Sequence, residues 1–292
     1  MSAQLLVAAI VTGALYALMA VSLNLVYGTM RLLNVAHGDL AMVGAYVAYW
    51  AFTLWGLPPI LSFPGVVAVA AAIGILAYKG LFAGILRSPQ QADRVEANSL
   101  LVFFGLSIVL ENVAALWFTG TPRGYDYANH IIHFLGVSLI ANRLLALSLS
   151  LAAVVAVLCF FRFSLWGLAV RALIQSRDAS AIVGIDLDRV FLLSIALGFG
   201  LAGLTGALAG MYESTTPFMG SRYTMAAFVI IILGGLGNLT GSLVGGLLLG
   251  VLETIGITFT GPNYRSILIY GVFIAILLWR PQGLFGGKAP AR

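Results

Sequence analysis

The chain has 292 residues, of which 61% are hydrophobic and only 9% charged, with a formal net charge of +5. Soluble domains run at about 45–50% apolar and about 25% charged residues, so this composition excludes an ordinary soluble domain. The basic surplus is better explained by the Lys and Arg that membrane proteins keep in cytoplasmic loops than by a nucleic-acid partner.

A helix that crosses the bilayer needs about 20 mostly apolar residues. Eight or nine such stretches follow one another, at 5–28, 40–55, 60–86, 100–117, 144–161, 190–211, 225–239, 243–260 and 267–279. The runs are continuous rather than alternating, which excludes a β-barrel. The first has no basic n-region and no small-residue cleavage site, so it reads as a mature helix and not a signal peptide. The expected fold is an all-α polytopic integral membrane protein, a single transmembrane domain over 1–292 with about eight to nine spans. The single Cys159 lies in an apolar run and cannot form an internal disulfide.

The first span ends in Arg31-Leu-Leu-Asn-Val-Ala-His-Gly-Asp-Leu-Ala-Met-Val-Gly-Ala-Tyr46, where Arg31, Asn34, His37 and Asp39 interrupt the apolar pattern. Asp39 follows Gly38 and precedes an apolar run, which suits an N-cap. Two readings are open. One is a plain cytoplasmic turn with a capped second helix. The other is a broken helix at membrane depth, as in transporters whose half-helix N-termini form the substrate site. The second reading makes Asn34, His37, Gly38 and Asp39 candidates for the substrate pathway.

Further along, the 87–97 loop is expected inside, and the 120–143 loop, with Tyr125, Tyr127, His130 and His133, outside as a short cap. Glu111 and Glu253 fall within apolar spans, where carboxylates usually face the bundle interior. A wet position near the outer interface is the other reading of both. The three histidines offer no paired metal-ligand spacing, and no catalytic or metal-binding residue is assigned.

Arg162, Arg171, Arg177, Asp178, Asp186, Asp188 and Arg189 crowd one stretch between two spans, and the arginines place this 162–189 loop in the cytoplasm. The tail with Arg280, Lys288 and Arg292 belongs on the same side. Leu165, Leu168, Ala169, Ala172 and Leu173 fall at helical spacing, while Arg171, Gln175 and Asp178 recur on another face. The spacing predicts a short helix, a turn near 176–178, and a second helical turn over 179–183 closed by Gly184. Such a loop is either a solvated linker or a rigid knob that fits a partner's groove.

A second break lies at Thr215-Thr-Pro-Phe-Met-Gly-Ser-Arg-Tyr-Thr-Met-Ala-Ala227. Gly220 and Arg222 precede a small-residue helix here much as Gly38 and Asp39 do earlier, so both join the pathway candidates, and an internal repeat is expected. Gly206/Gly210, Gly241/Gly245 and Gly246/Gly250 fit G-x-x-x-G, a sign of close helix approach. Gly234-Gly-Leu-Gly-Asn-Leu-Thr-Gly241 joins two apolar spans rather than a strand and a helix, so it is a tight turn and not a dinucleotide loop. The sequence contains no G-x-x-x-x-G-K-[ST].

These motifs carry a resemblance. Gly167-Leu-Ala-Val-Arg-Ala172, with Ala179 and Gly184-Ile185 after it, resembles the cytoplasmic loop of permease subunits in binding-protein-dependent ABC importers. Asn34-Val-Ala-His-Gly-Asp-Leu-Ala-Met-Val-Gly-Ala45 is similar to the first signature of the branched-chain amino-acid (LivH-like) permease family. Gly234–Gly246 and Arg280-Pro-Gln-Gly-Leu-Phe285 are similar to its later ones. The short amino terminus is closer to the LivH type than to the longer LivM type.

The resemblance implies an ABC importer permease fold in the bacterial inner membrane. It implies a LivM-like paralogue as second permease, a periplasmic substrate-binding protein, and two ATPases that bind ATP and Mg, so that this chain itself holds no cofactor. Gly167, Arg171, Ala172, Gln175, Asp178, Ala179, Gly184 and Ile185 would then couple the chain to the ATPases. The implied cargo is a branched-chain amino acid, with urea or short amides as relatives. An ion-coupled secondary transporter using Glu111 or Glu253, and a purely structural scaffold, are the competing classes.

Overall fold

The computed structural model describes residues 3–84, 92–134, 137–280 and 283–284. Residues 87–91 of the 87–97 loop, and Lys288, Arg292 and Phe285 of the tail, lie outside the described residues, while the rest of that loop is already helical. The helices are α1 (Ala3–Met30), α2 (His37–Trp55), α3 (Pro59–Ala77, ending in a π-helical turn at Tyr78–Phe82), α4 (Ala92–Phe118), α5 (Ala141–Phe163), α6 (Leu165–Gln175), α7 (Arg177–Ile182), α8 (Leu187–Ala209), α9 (Gly220–Gly234), α10 (Leu239–Thr260) and α11 (Arg265–Trp279). A small antiparallel ribbon, β1 (Ile131–Phe134) with β2 (Val137–Ile140), caps the end where Arg123 also bridges to Thr215.

Among the described residues six helices are long and apolar enough to cross a membrane, namely α1, α3, α4, α5, α8 and α10. The remaining three apolar stretches are α2, α9 and α11, shorter or less apolar helices packed among the six. The chain is therefore an all-α, multi-pass membrane protein. Gln4 Nε2 donates to the Ser138 carbonyl at 3.2 Å, so α1 starts at the ribbon end and runs away from it.

Local rules set the helix ends. Pro59 opens α3, where its missing N–H is no loss, and Gly56 closes α2 in the left-handed region at φ 63°. Asn238, Ser164, Ser176 and Asp186 cap α10, α6, α7 and α8 with their side-chain oxygens.

In the most apolar window of α1 and of α8, 67% of residues are buried, against 17% for α4, so α1 and α8 form the centre and α4 lies at the periphery. Around that centre the packing is symmetric under exchange. α1 packs on α10 as α8 packs on α3, α2 lies on α8 as α9 lies on α1, and α2–α3 matches α9–α10. Because α1 and α8 run in opposite directions, the two three-helix units repeat the same pairwise packing with inverted direction. The repeat expected from the two breaks is present, at the level of helix packing.

The G-x-x-x-G glycines mediate this internal packing. A Cβ on Gly206 would lie 1.7 Å from the Ala41 carbonyl oxygen, and one on Gly250 would lie 2.3 Å from Gly13 Cα. The helices touch backbone to backbone there, which only glycine permits.

The glycine-rich turn between α9 and α10 is clamped by one buried side chain of α1. Asn24 Nδ2 donates to the carbonyls of Gly235 (3.2 Å) and Asn238 (3.0 Å) and to Ser242 Oγ (2.7 Å), while Asn24 Oδ1 accepts from Gly237 N at 2.7 Å. At about 1 kcal/mol per net hydrogen bond, Asn24→Ala should cost about 2–4 kcal/mol. A thermal midpoint of the purified protein unchanged by the substitution would refute this role.

Candidate functional site

The two breaks meet inside the bundle. After Met30 the chain turns at Arg31, which has φ 53°, and climbs back along α1 so that α2 begins beside Ser22. Ser22 lies eight residues before Met30, about 12 Å of helix from the end of α1. The second break, from Gly210 to Met219, enters from the ribbon end, and α9 begins against the first turn of α2. Leu32, Asn34 and Ala36 are buried, so the first break is a re-entrant segment rather than a surface turn.

Backbone touches backbone where the helix starts cross. A Cβ on Gly38 would sit 1.9 Å from the Gly220 carbonyl oxygen, and one on Gly220 would sit 2.2 Å from Asp39 Oδ1. Thr224 of α9 joins the two segments: its hydroxyl accepts from Gly38 N at 2.9 Å and donates to the Val35 carbonyl at 3.0 Å. The residue at the N-cap position of α2 is Ala36, which makes no side-chain capping bond. Asp39 is thus not the cap. The hydroxyl of Thr224 satisfies an orphan N–H of α2 from another helix, and this tertiary bond removes the need for a local one.

Asp39 instead holds a different position. It is 1% exposed, lies in the first turn of α2, abuts the first residue of α9, and accepts a hydrogen bond from Ser107 Oγ of α4 at 2.5 Å. Its carboxylate therefore sits at the positive ends of two helix dipoles. His37 is buried beside it, with Nε2 2.7 Å from Ser22 Oγ, Nδ1 3.3 Å from Asn34 Nδ2, and its ring edge-on to Phe199. Asn34, His37, Gly38, Asp39 and Gly220 are brought together as one buried polar cluster, and Arg222 faces elsewhere.

Arg222 belongs to a second cluster nearer the ribbon end. Its guanidinium pairs with Glu213 and donates to Tyr223 Oη, and Tyr223 in turn donates to Glu213. The Tyr223 ring meets Tyr16 edge-on at 6.2 Å, and Tyr16 Oη accepts from Arg265, which pairs with Glu253. Glu253 has a side chain only 1% exposed, so the reading that left it wet at the interface is overturned. Its Oε2 makes no hydrogen bond of regular geometry among the described residues. Cavities of about 290 and 310 Å³ open on the two sides of Arg265.

At the opposite end the charged loop has the predicted shape: α6, a break at Ser176, and α7. Gly184 follows with φ 86°. Gly167 is buried, and a Cβ there would lie 2.0 Å from the Phe161 carbonyl oxygen. Arg171 Nη1 donates to the carbonyls of Phe161 (2.5 Å) and Arg162 (3.3 Å). Gly167 and Arg171 thus fasten α6 to the end of α5. Gln175, Asp178, Ala179 and Gly184 are exposed, Ala172 and Ile185 half-buried. Around them Leu165, Ile182 and Val183 are 84%, 85% and 73% exposed.

Sequence reasoning missed Ser22, Asn24, Ser107, Glu213, Thr224 and Arg265. A signal existed for Ser22 and Asn24, polar residues two apart inside an otherwise apolar run. For Arg265 and Glu213 it did not, because each looks like an ordinary charge beside a span.

Paired three-helix units of opposite direction, helices that begin inside the bundle, and part-buried ion pairs between spans are features of membrane transport proteins. Residues 5–277 match the family described as the branched-chain amino acid transport system / permease component, and the chain belongs to that family. It is 30% identical to the high-affinity branched-chain amino acid transport system permease protein BraD of Pseudomonas aeruginosa, over 97% of this chain and 95% of that one. It is 27% identical to the LivH permease protein of Escherichia coli K12, over 94% and 92% of the two chains. It is also 24% identical to the LivM permease protein of the same organism, over 94% of this chain and 69% of that one.

Proposed function

We propose that this chain is a membrane-spanning subunit of a bacterial inner-membrane ABC importer for branched-chain amino acids. It would work with a LivM-like second permease, two cytoplasmic ATPases and a periplasmic binding protein. The observation that carries the proposal is the fastened α6–α7 knob. It projects exposed apolar side chains with Gln175, Asp178 and Ala179 from the end of the bundle that the arginines assign to the cytoplasm. An unanchored linker needs neither the Gly167 contact nor the Arg171 bonds. A surface that must transmit force needs both.

ATP-driven closure of the ATPases would press on α6, and α6 bears on α5 through Gly167. The inverted units would then rock about the glycine-lined α1–α8 centre, exposing the interior to alternate sides. Similarity to both LivH-type and LivM-type proteins supports a pair of related permeases. The test is to purify the tagged chain from its native membrane. ATPase subunits and a paralogous permease should accompany it, and the assembly should move leucine into liposomes when the binding protein is supplied. A chain that comes out alone and still transports would make it an ion-coupled carrier instead.

A further inference from the structure

The cluster around Glu253 is an ion-pair network that borders a cavity. The cavity of about 290 Å³ is lined by Arg143 and Arg265, by Glu213 and Glu253, and by apolar Val11 and Ile257. Two cations and two anions give it no net charge but strong local fields of both signs. Glu253 is buried and ion-paired to Arg265, the Tyr16 hydroxyl also interacts with its carboxylate, and Oε2 makes no hydrogen bond of regular geometry among the described residues. Arg222 Nε, at the far end of the same network, is likewise buried without one. A buried carboxylate oxygen without a well-formed hydrogen bond is costly, and a ligand that supplies a further donor recovers part of that cost.

We propose that this cavity is a binding site for a zwitterion, with Glu253 receiving the ammonium, Arg265 and Arg143 the carboxylate, and Val11 and Ile257 the side chain. This rests on the amino-acid importer reading and sharpens it. The site reads the charged groups common to all α-amino acids, and leaves the choice among side chains to a shallow apolar wall. Urea and short amides lack both charges, so they cannot replace the contacts a zwitterion makes. The ion pairs suit this use because Glu253 and Arg265 neutralise each other when the cavity is empty and each has a counter-ion when it is filled. An aminophospholipid headgroup offers the same ammonium-and-anion chemistry, and the experiment separates the two sources.

The full chain is placed in phosphatidylcholine nanodiscs and binding of radiolabelled L-leucine is measured with competitors. Valine should compete. The analogue without the amino group, 4-methylpentanoate, the one without the carboxylate, 3-methylbutylamine, and urea should not. Glu253→Gln, which keeps the shape and removes the charge, should weaken leucine binding at least tenfold. It should also bring 4-methylpentanoate close to leucine in relative affinity, a selectivity change that a merely loosened fold would not produce. Displacement of leucine by added phosphatidylethanolamine would support the site and assign it to the headgroup. No leucine binding by the unaltered chain, or an unchanged competition profile in Glu253→Gln, would overturn the proposal. Leucine uptake by the assembled importer tests the importer reading separately. Intact uptake alongside an unchanged profile sinks only the site.

Discussion

Gly38→Ala is expected to abolish transport and to leave little correctly packed protein, although it adds a single methyl group. The new Cβ would lie 1.9 Å from the Gly220 carbonyl oxygen, 2.4 Å from Thr224 Oγ1 and 2.8 Å from the Gly220 carbonyl carbon. Two of these atoms are backbone and cannot swing aside, so the starts of α2 and α9 must separate. Separation breaks both hydrogen bonds of Thr224 and lifts the Asp39 carboxylate off α9. Overpacking costs about 1–3 kcal/mol and sometimes more. At 3 kcal/mol the ratio of packed to unpacked protein falls roughly a hundredfold. The matched control is Gly105→Ala in α4, where a Cβ meets nothing within 4 Å and the residue faces outward. Its folded yield should be unchanged or slightly higher, since alanine is the better helix former. Size-exclusion profiles in detergent and leucine uptake in liposomes check the pair. Equal behaviour of the two variants would mean that α2 and α9 do not cross at Gly38.

The contrast between these two glycines marks what the sequence could disclose. Spans were legible because lipid demands about 20 apolar residues in a row, and the breaks because Arg31, Asn34, His37 and Asp39 interrupt such a run. The loop was legible because Leu165–Leu173 carries a helical period and Gly184 a stop. Contacts between distant segments were not. Nothing local tells that Gly38 meets Gly220, or that Thr224 caps α2 in place of Asp39. The partners of Arg222 and Glu253 were hidden for the same reason, since Glu213 and Arg265 acquire their roles only when α9, α10 and α11 converge on α1. The two breaks resembled one another faintly in sequence, yet they occupy equivalent places in inverted units. Backbone approach and dipole alignment constrain geometry there far more tightly than side-chain identity.

Arg171→Glu should reduce substrate-stimulated ATP hydrolysis by the assembled importer to its basal level, with membrane insertion unaffected. The guanidinium of Arg171 caps the carbonyls at the end of α5, where the helix dipole is negative. A carboxylate in that place faces those carbonyls with like charge, and α6 loses its tether. Under the proposed coupling role Arg171 is a positioning residue, and its loss would leave the knob present but unable to pass force to α5. Ala172→Glu should give the same loss of stimulation by a different route, since the half-buried Ala172 makes no such tether and its substitution alters the face that the proposed ATPase partner would meet. Limited chymotrypsin digestion separates the two. Cleavage within 162–189 should accelerate in Arg171→Glu and stay at the normal rate in Ala172→Glu. Arg171→Lys should restore part of the stimulation, because an ammonium keeps the charge and a donor for these carbonyls but not the pre-organised planar guanidinium. Full stimulation in a correctly inserted Arg171→Glu importer would remove the loop from the coupling path and return it to a solvated linker.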